Sequence, residues 1–314
     1  MTCHDWRTCT AEEGTALVAR EVEAWFAQMA WDVRDTWRVV EPARRVGQVP
    51  GFVVRDSARR LVGWTACTQV GQTWHVFVFD APNTAVATLL LDAIAAAADE
   101  AAATRIVFCV RDTTPVLQDL LALRGFLVDS YRYLSKPLMP GHSASLRLRA
   151  WAQHEAAMAR LCARAYRTAP GVRAFAFDDT PEAWDEYVRG LVTTPGCGRF
   201  AADLSGVIEG ADGLDAGVMV TRLGPGTIHI AQLAVDLPVR GRGLGRTIVD
   251  AVEAAGLADG ARDVTLLVAS ANTPAVSLYR ARGFRLRAAF VVATGQPSLS
   301  TSLALEIGGA STRR

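Results

Sequence analysis

Between residues 233 and 257 an apolar run, Leu233-Ala-Val-Asp-Leu-Pro-Val239, passes through Arg240-Gly-Arg-Gly243-Leu-Gly245-Arg246 into a segment with helical apolar periodicity. The order predicts a strand, a glycine-rich loop and a helix. Gly241, Gly243 and Gly245 free the backbone to turn several N–H groups towards one point, and the helix N-terminus behind them carries partial positive charge. A phosphate is the natural occupant of such a loop. Arg240, Arg242 and Arg246 add formal charge around it.

A second stretch follows at short range. Val264-Thr-Leu-Leu-Val-Ala269 has β-type composition, and Asn272-x-x-Ala275-x-x-Leu278-Tyr279-x-x-x-Gly283-Phe284 predicts a short helix ended by Gly283. Neither a phosphate loop with Gly-Lys-Ser/Thr nor a strand-first G-x-G-x-x-G with a ribose-binding acid fits as well. Together the two stretches resemble the GNAT superfamily of acyl-CoA-dependent N-acyltransferases. Arg240-x-x-Gly243-x-Gly245 is similar to that family's pyrophosphate-binding signature, and the Asn272 stretch to its second cofactor-side motif.

The resemblance implies a specific division of labour. The co-substrate would be acetyl-CoA or another acyl-CoA. The backbone of Leu233 and Val235 would run beside its pantetheine arm, while Arg240, Gly241, Arg242, Gly243, Gly245, Arg246 and Asn272 would hold the rest. Tyr279 stands where many members place the general acid for the departing thiolate, and a phenol can donate a proton while neutral at pH 7. His229, eleven residues before Arg240, stands where histone-type members carry a glutamate base. An imidazole can take an ammonium proton directly or through water, yet a packed histidine would occupy the same place. Leu267 replaces the glutamate carried by the ribosomal-protein N-terminal acetyltransferases, which disfavours that subclass.

The first half of the chain repeats the second in worn form. Gly63 falls on Gly217, Thr73 on Thr227 and His75 on His229, an offset of 229 − 75 = 154; from Asp92 on Asp250 to Phe126 on Phe284 it is 284 − 126 = 158. Four residues are missing where the phosphate loop belongs, and Gly243, Gly245, Asn272 and Tyr279 become Ala85, Ala87, Thr114 and Leu121. The expected architecture is α/β (α+β), with two tandem GNAT-like domains, each a mixed, mostly antiparallel sheet flanked by helices. The first, residues 1–138, would keep the scaffold without the phosphate loop, with Tyr131–Leu138 as its last strand. The second, residues 145–314, would carry the acyltransferase, ending in strands near 285–294 and 299–307. This layout is similar to that of mycothiol-synthase-like enzymes, without an acceptor signature that extends the likeness to their substrate.

Whole-chain properties narrow the partners. A formal net charge of +1 over 314 residues gives no general attraction to nucleic acid or to an anionic membrane. The alanine-rich stretch near 85–103 is interrupted by Asp92, Asp99 and Glu100, so no membrane segment is expected. Six cysteines without a C-x-x-C pair fit a reducing cytoplasm. The expected acceptor is a small amine-bearing molecule. Phe175, Phe177, Asp178 and Asp179, with Trp184 and Tyr187 on the next helix, fall where the family shapes acceptor sites, although the same residues would equally pack a loop onto the core. A non-catalytic acyl-CoA-binding regulator would keep the loop and lose acid and base. A transferase using aminoacyl-tRNA would lack the loop and show a basic face.

Overall fold

The computed structural model describes residues 1–140, 148–167, 180–193 and 196–297. Phe175, Phe177, Asp178, Asp179 and the strand expected at 299–307 lie outside the described residues. In chain order the elements are β1 (Thr2–Asp5), α1 (Ala11–Met29), α2 (Arg34–Arg45), β2 (Gly51–Arg55), β3 (Leu61–Val70), β4 (Thr73–Asp80), α3 (Thr84–Glu100), β5 (Arg105–Arg111), α4 (Leu117–Leu123) and β6 (Leu127–Pro137). They continue with β7 (Arg149–Ala150), α5 (Glu155–Tyr166), α6 (Pro181–Thr193), β8 (Arg199–Phe200), β9 (Gly206–Gly210), β10 (Gly213–Gly224), β11 (Thr227–Val235), α7 (Leu244–Ala258), β12 (Asp263–Ala269), α8 (Thr273–Ala281) and β13 (Arg285–Gly295). The fold class is the expected mixture, with helices flanking mixed sheet.

Two compact units emerge. Unit 1 comprises Met1–Ala24, Val33–Tyr131 and the chain from Ala288; unit 2 comprises Trp25–Asp32 and Arg132–Arg287. In unit 1, β1 to β4 pair antiparallel in sequence, β4 and β5 are parallel, and the Phe290–Gly295 part of β13 pairs antiparallel with β5. In unit 2, β7, β9, β10 and β11 run antiparallel, β11 and β12 are parallel, and β6 lies beside β12, with Leu138 N–H donating to Arg262 O at 2.7 Å. The strand expected to close the first repeat is therefore built into unit 2, and β13 closes unit 1. The expected spans 1–138 and 145–314 follow the repeats along the chain, whereas the compact units exchange a strand across them. Alternation marks a segment as strand without naming its partner, so this exchange is invisible to pattern.

Local chemistry explains the element ends. Thr10 and Glu13 form a reciprocal cap on α1: Glu13 N–H donates to Thr10 Oγ1 at 3.2 Å and Thr10 N–H to Glu13 Oε2 at 2.9 Å. α4 and α8 end alike. Gly125 and Gly283 take left-handed φ values of 78° and 88°, and Phe126 and Phe284 donate back to Leu121 O and Tyr279 O, each at 3.0 Å. Arg124 pairs with Asp92, and Arg282 with Asp250, so a charged tie between the long helix and the short one recurs at the offset of 158.

One expected correspondence shifts. In β3–β4, Ala66 faces Val78 and Cys67 faces Val76, leaving Phe77 as a bulge; in β10–β11, Met219 faces Gln232 and Val220 faces Ile230, leaving Ala231. The two bulges match at 231 − 77 = 154. β10 has a further bulge at Leu223, between Arg222 and Gly224, so its earlier residues match at 153 and Gly63 corresponds to Ala216 rather than Gly217. Apolar packing then fills both units. In unit 1, α3 and α4 bury Val86, Leu90, Ile94, Leu117 and Leu121 against the sheet. Unit 2 has a core on each face of its sheet, one with α7 and α8 around Ile228, Ile248 and Phe284, the other with α5 and α6 around Met158, Leu161 and Trp184.

Candidate active site

The site is built where two parallel strands part. Pairing of β11 with β12 runs from Thr227↔Asp263 to Ile230↔Leu266, yet β11 continues to Val235 and β12 to Ala269. The Ala231 bulge, at the point where pairing stops, turns β11 away. Asp236 N–H donates to Asp215 O at 2.8 Å, which fixes the alternation of the strand. Ala234 and Asp236 direct backbone groups to β10, so those of Leu233 and Val235 face the opening. Two carbonyls on this edge already have donors: Tyr166 Oη donates to Leu233 O, and Arg240 Nε to Val235 O at 3.1 Å.

The glycine loop closes one end of the opening. Asp236 Oδ1 accepts from Leu237 N–H at 2.8 Å and starts a short turn, after which Gly241 and Gly243 take φ values of 79° and 85°. Those left-handed values favour glycine, and a Cβ at either position would meet nothing within 4 Å, so the space before the loop is open. Gly243 is the N-cap of α7 and offers no side chain to cap it. Thr247 N–H to Gly243 O, at 3.0 Å, is the first bond of the helix, which leaves the N–H groups of Leu244, Gly245 and Arg246 without intrahelical acceptors. Such donors, with the dipole behind them, suit a phosphate. Gly245 serves packing: a Cβ there would lie 3.3 Å from Leu278 Cδ2, so its absence brings α8 close to α7.

The arginines divide. Arg242 and Arg246 are exposed at the loop. Arg240, expected beside the phosphate, instead turns its guanidinium to Val235 O and, through Nη2, to Ala165 O. Asn272 is likewise engaged, its Oδ1 accepting from Ala275 N–H at 3.3 Å to cap α8.

Tyr279 and His229 occupy different surroundings. Tyr279 is 7% exposed on the buried side of α8, its ring edge-on to Phe284 at 5.5 Å, and burial pushes its phenol well above the usual range, so it stays protonated. His229 is 5% exposed; its Nδ1 lies 2.9 Å from Thr265 Oγ1, Tyr133 stacks on it at 5.8 Å, and Trp31 lies at 6.1 Å. Burial pushes its pKa down to about 4, which keeps the imidazole neutral. It stands four residues before Leu233, about 13 Å along the strand. A group held at Leu233 would therefore lie too far from His229 for direct proton transfer.

Unit 1 shows the same frame with the site filled. β4 and β5 pair only to Val76↔Phe108 and then continue to Asp80 and Arg111. Here α1 is tied to both strand ends, Arg20 donating to Asp80 Oδ2 at 2.9 Å and Arg111 to Glu21 Oε2 at 2.7 Å. Asn83 Oδ1 caps α3 by accepting from Val86 N–H at 3.0 Å, the role left open in α7. Thr114 Oγ1 accepts from Ala81 N–H at 3.3 Å, and Leu121 is fully buried where unit 2 has Tyr279. His75 pairs across the parallel strands with Val107, whereas His229 pairs with the hydroxyl-bearing Thr265.

Comparison with known proteins agrees with this frame. Residues 161–284 match the acetyltransferase (GNAT) family, a span from α5 to the end of the α8 turn that contains the opening, the loop and Tyr279. This span of the second half is thus similar to a GNAT domain, a family whose chemistry is acyl transfer. A GCN5-related N-acetyltransferase from Sphaerobacter thermophilus superposes with a TM-score of 0.64 at 16% identity, covering 94% of this chain and 96% of its own. A tandem GNAT protein from the clavulanic acid biosynthesis pathway gives 0.50 at 16% identity, over 79% of this chain and 83% of its own. A fungal GCN5-related glucosamine N-acetyltransferase region, within a multi-domain β-N-acetylglucosaminidase, gives 0.56 at 16% identity over 94% of this chain and 38% of its own. These likenesses show a shared fold. No curated protein matches the chain by sequence. Among the described residues no helix is long and apolar enough to cross a membrane, and no group of three or more His, Cys, Asp or Glu could hold a metal ion.

Proposed function

We propose that the protein is an acyl-CoA-dependent N-acyltransferase that moves an acyl group, most directly acetyl, to the amine of a small molecule or amino-acid derivative. One observation carries the reading: the splayed edge of Leu233 and Val235 and the uncapped, glycine-lined start of α7 lie together in unit 2, while unit 1 caps its matching helix with Asn83 and ties α1 to the end of β5 as well as to that of β4. The uncapped N–H groups of α7, with Arg242 and Arg246, would hold a pyrophosphate, and the backbone of Leu233 and Val235 would hold the pantetheine arm with its thioester. An N–H of that edge would stabilise the oxyanion as the amine attacks. Tyr279, kept protonated by burial, would return a proton to the departing thiolate. The ammonium proton would leave through water, with His229, whose pKa burial pushes down to about 4, passing it on to solvent rather than keeping it.

The burial of Tyr279 against Phe284 also fits a non-catalytic acyl-CoA-binding module, in which the ring only packs. Isothermal titration with acetyl-CoA, then an amine screen scored by release of free thiol, separates the readings. Acetyl-CoA binding with thiol release in the presence of an amine supports the enzyme; binding without release from any amine favours the module. An absence of acetyl-CoA binding would overturn both.

A further inference from the structure

Three consecutive residues at the end of α5 are bonded to the end of β11 and the loop after it. Arg164 donates from Nε to Asp236 Oδ2 at 2.8 Å, the Ala165 carbonyl accepts from Arg240, and the Tyr166 hydroxyl donates to Leu233 O. The Tyr166 ring is held separately, stacked on Trp184 at 5.5 Å and 17°. Trp184 lies edge-on to Tyr187 at 5.8 Å, and Tyr187 Oη donates to Gln232 Oε1 at 3.3 Å beside the bulge. Gly217 lets α5 come this close, because a Cβ there would meet Met158 Sδ at 2.7 Å.

Unit 1 supplies an internal control. Its first helix is tied to the end of its fourth strand by Arg20 and Asp80, much as Arg164 and Asp236 tie α5 to β11. Aligning the arginines, 164 − 20 = 144, places Val22 at the position of Tyr166. Each unit thus has a charged tie from its first helix to the end of this strand, set two residues further along in unit 2, since Asp80 matches Ala234 at the offset of 154. Val22 has no hydroxyl to place on Phe79 O, the carbonyl that matches Leu233 O at 233 − 154 = 79.

The Leu233 N–H and C=O face the same opening. If the acyl carbonyl binds that N–H, negative charge develops beside the Leu233 oxygen, whose own dipole opposes it. A hydroxyl donated to that oxygen offsets the opposition at no cost of reorganisation during the reaction. Resting on the acyl-transfer reading, we propose that Tyr166 is a positioning residue of the site: by occupying the Leu233 carbonyl it makes the 233–235 edge a donor-only surface for the acyl carbonyl. Arg240 does the same at Val235 O. Loss of a single transition-state donor typically costs about 10²–10³-fold, and a group acting one bond removed should cost about tenfold or more.

The test uses the full chain and acetyl-CoA labelled with carbon-13 at the thioester carbonyl. Bound to the wild type, that resonance should move from its free position. In Tyr166→Phe, whose ring still stacks on Trp184, acetyl-CoA affinity should stay within about threefold while most of the displacement is lost and single-turnover acylation falls about tenfold or more. Arg164→Met, which breaks the tie common to both units, should lower the melting temperature and keep the displacement. The proposal is overturned if Tyr166→Phe keeps the wild-type displacement, or if Arg164→Met loses it equally. Failure of the wild type to bind acetyl-CoA would overturn the acyl-transfer reading, and this inference with it.

Discussion

On the acyl-transfer reading, the role proposed for Tyr279 hangs on one oxygen. The ring is fixed by Phe284 and the core of unit 2, so Tyr279→Phe leaves packing intact and removes only the hydroxyl proposed as proton donor. Turnover is expected to fall about 10²–10⁴-fold with acyl-CoA affinity nearly unchanged, as single-turnover acylation and calorimetry would measure. Rates within about threefold of wild type, under roughly 0.7 kcal/mol of barrier, would make Tyr279 a packing residue. His229 makes a prediction about stability instead. Its folded pKa is about 4 against an ordinary 6.5, so between those values the unfolded chain takes a proton that the folded chain refuses. Stability should therefore fall as pH drops from about 6.5 to about 4, by on the order of 3 kcal/mol from this group. In His229→Gln that part of the slope should vanish from urea melts across the range. For the same reason a rate profile should show no limb near 6.5 attributable to His229; finding one that disappears in His229→Gln would mean that bound reactants raise its pKa.

Among elements, α7 and α3 differ in how they begin. The α7 N-terminus is uncapped behind Gly243 and the α3 N-terminus is capped by Asn83. Gly243→Asp keeps a residue that tolerates the left-handed backbone and sets a carboxylate before the N–H groups that would hold phosphate. Acetyl-CoA affinity should drop about a hundredfold or more, roughly 3 kcal/mol. Ala85→Asp, exposed in the first turn of α3 where an acid suits the dipole, should leave affinity unchanged and the stoichiometry at one per chain. Two equal sites in the wild type would refute this. The loop was legible because glycine and arginine at fixed spacing state a backbone requirement directly. The edge it serves was not. Where β11 leaves β12 depends on pairing register, and the roles of Arg240 and Tyr166 depend on carbonyls that every residue carries. Tyr166 left one faint signal, a tyrosine ending an amphipathic helix whose counterpart in the first repeat has Val22.

For the whole molecule, the repeat could be read from matched residues, but the composition of each compact unit could not. Unit 2 takes the part of β6 from Arg132 on and Trp25–Asp32 from the first half of the sequence, and unit 1 takes the Phe290–Gly295 part of β13 from the end. A fragment of residues 145–314 would lack the strand beside β12 and would lose Tyr133 and Trp31 from around His229. It would expose an unpaired strand edge, a ready template for aggregation, and an apolar face cut open. The fragment alone is therefore expected to be insoluble or to melt without acetyl-CoA stabilisation, whereas co-expression with residues 1–144 should restore both solubility and binding. Thermal shift measures this well, since a ligand at about 100 times its dissociation constant adds about 2.7 kcal/mol. If 145–314 folded alone and bound acetyl-CoA within about threefold of the full chain, β6 would be dispensable to the site, and the first half would be an attached copy rather than part of the protein's working fold.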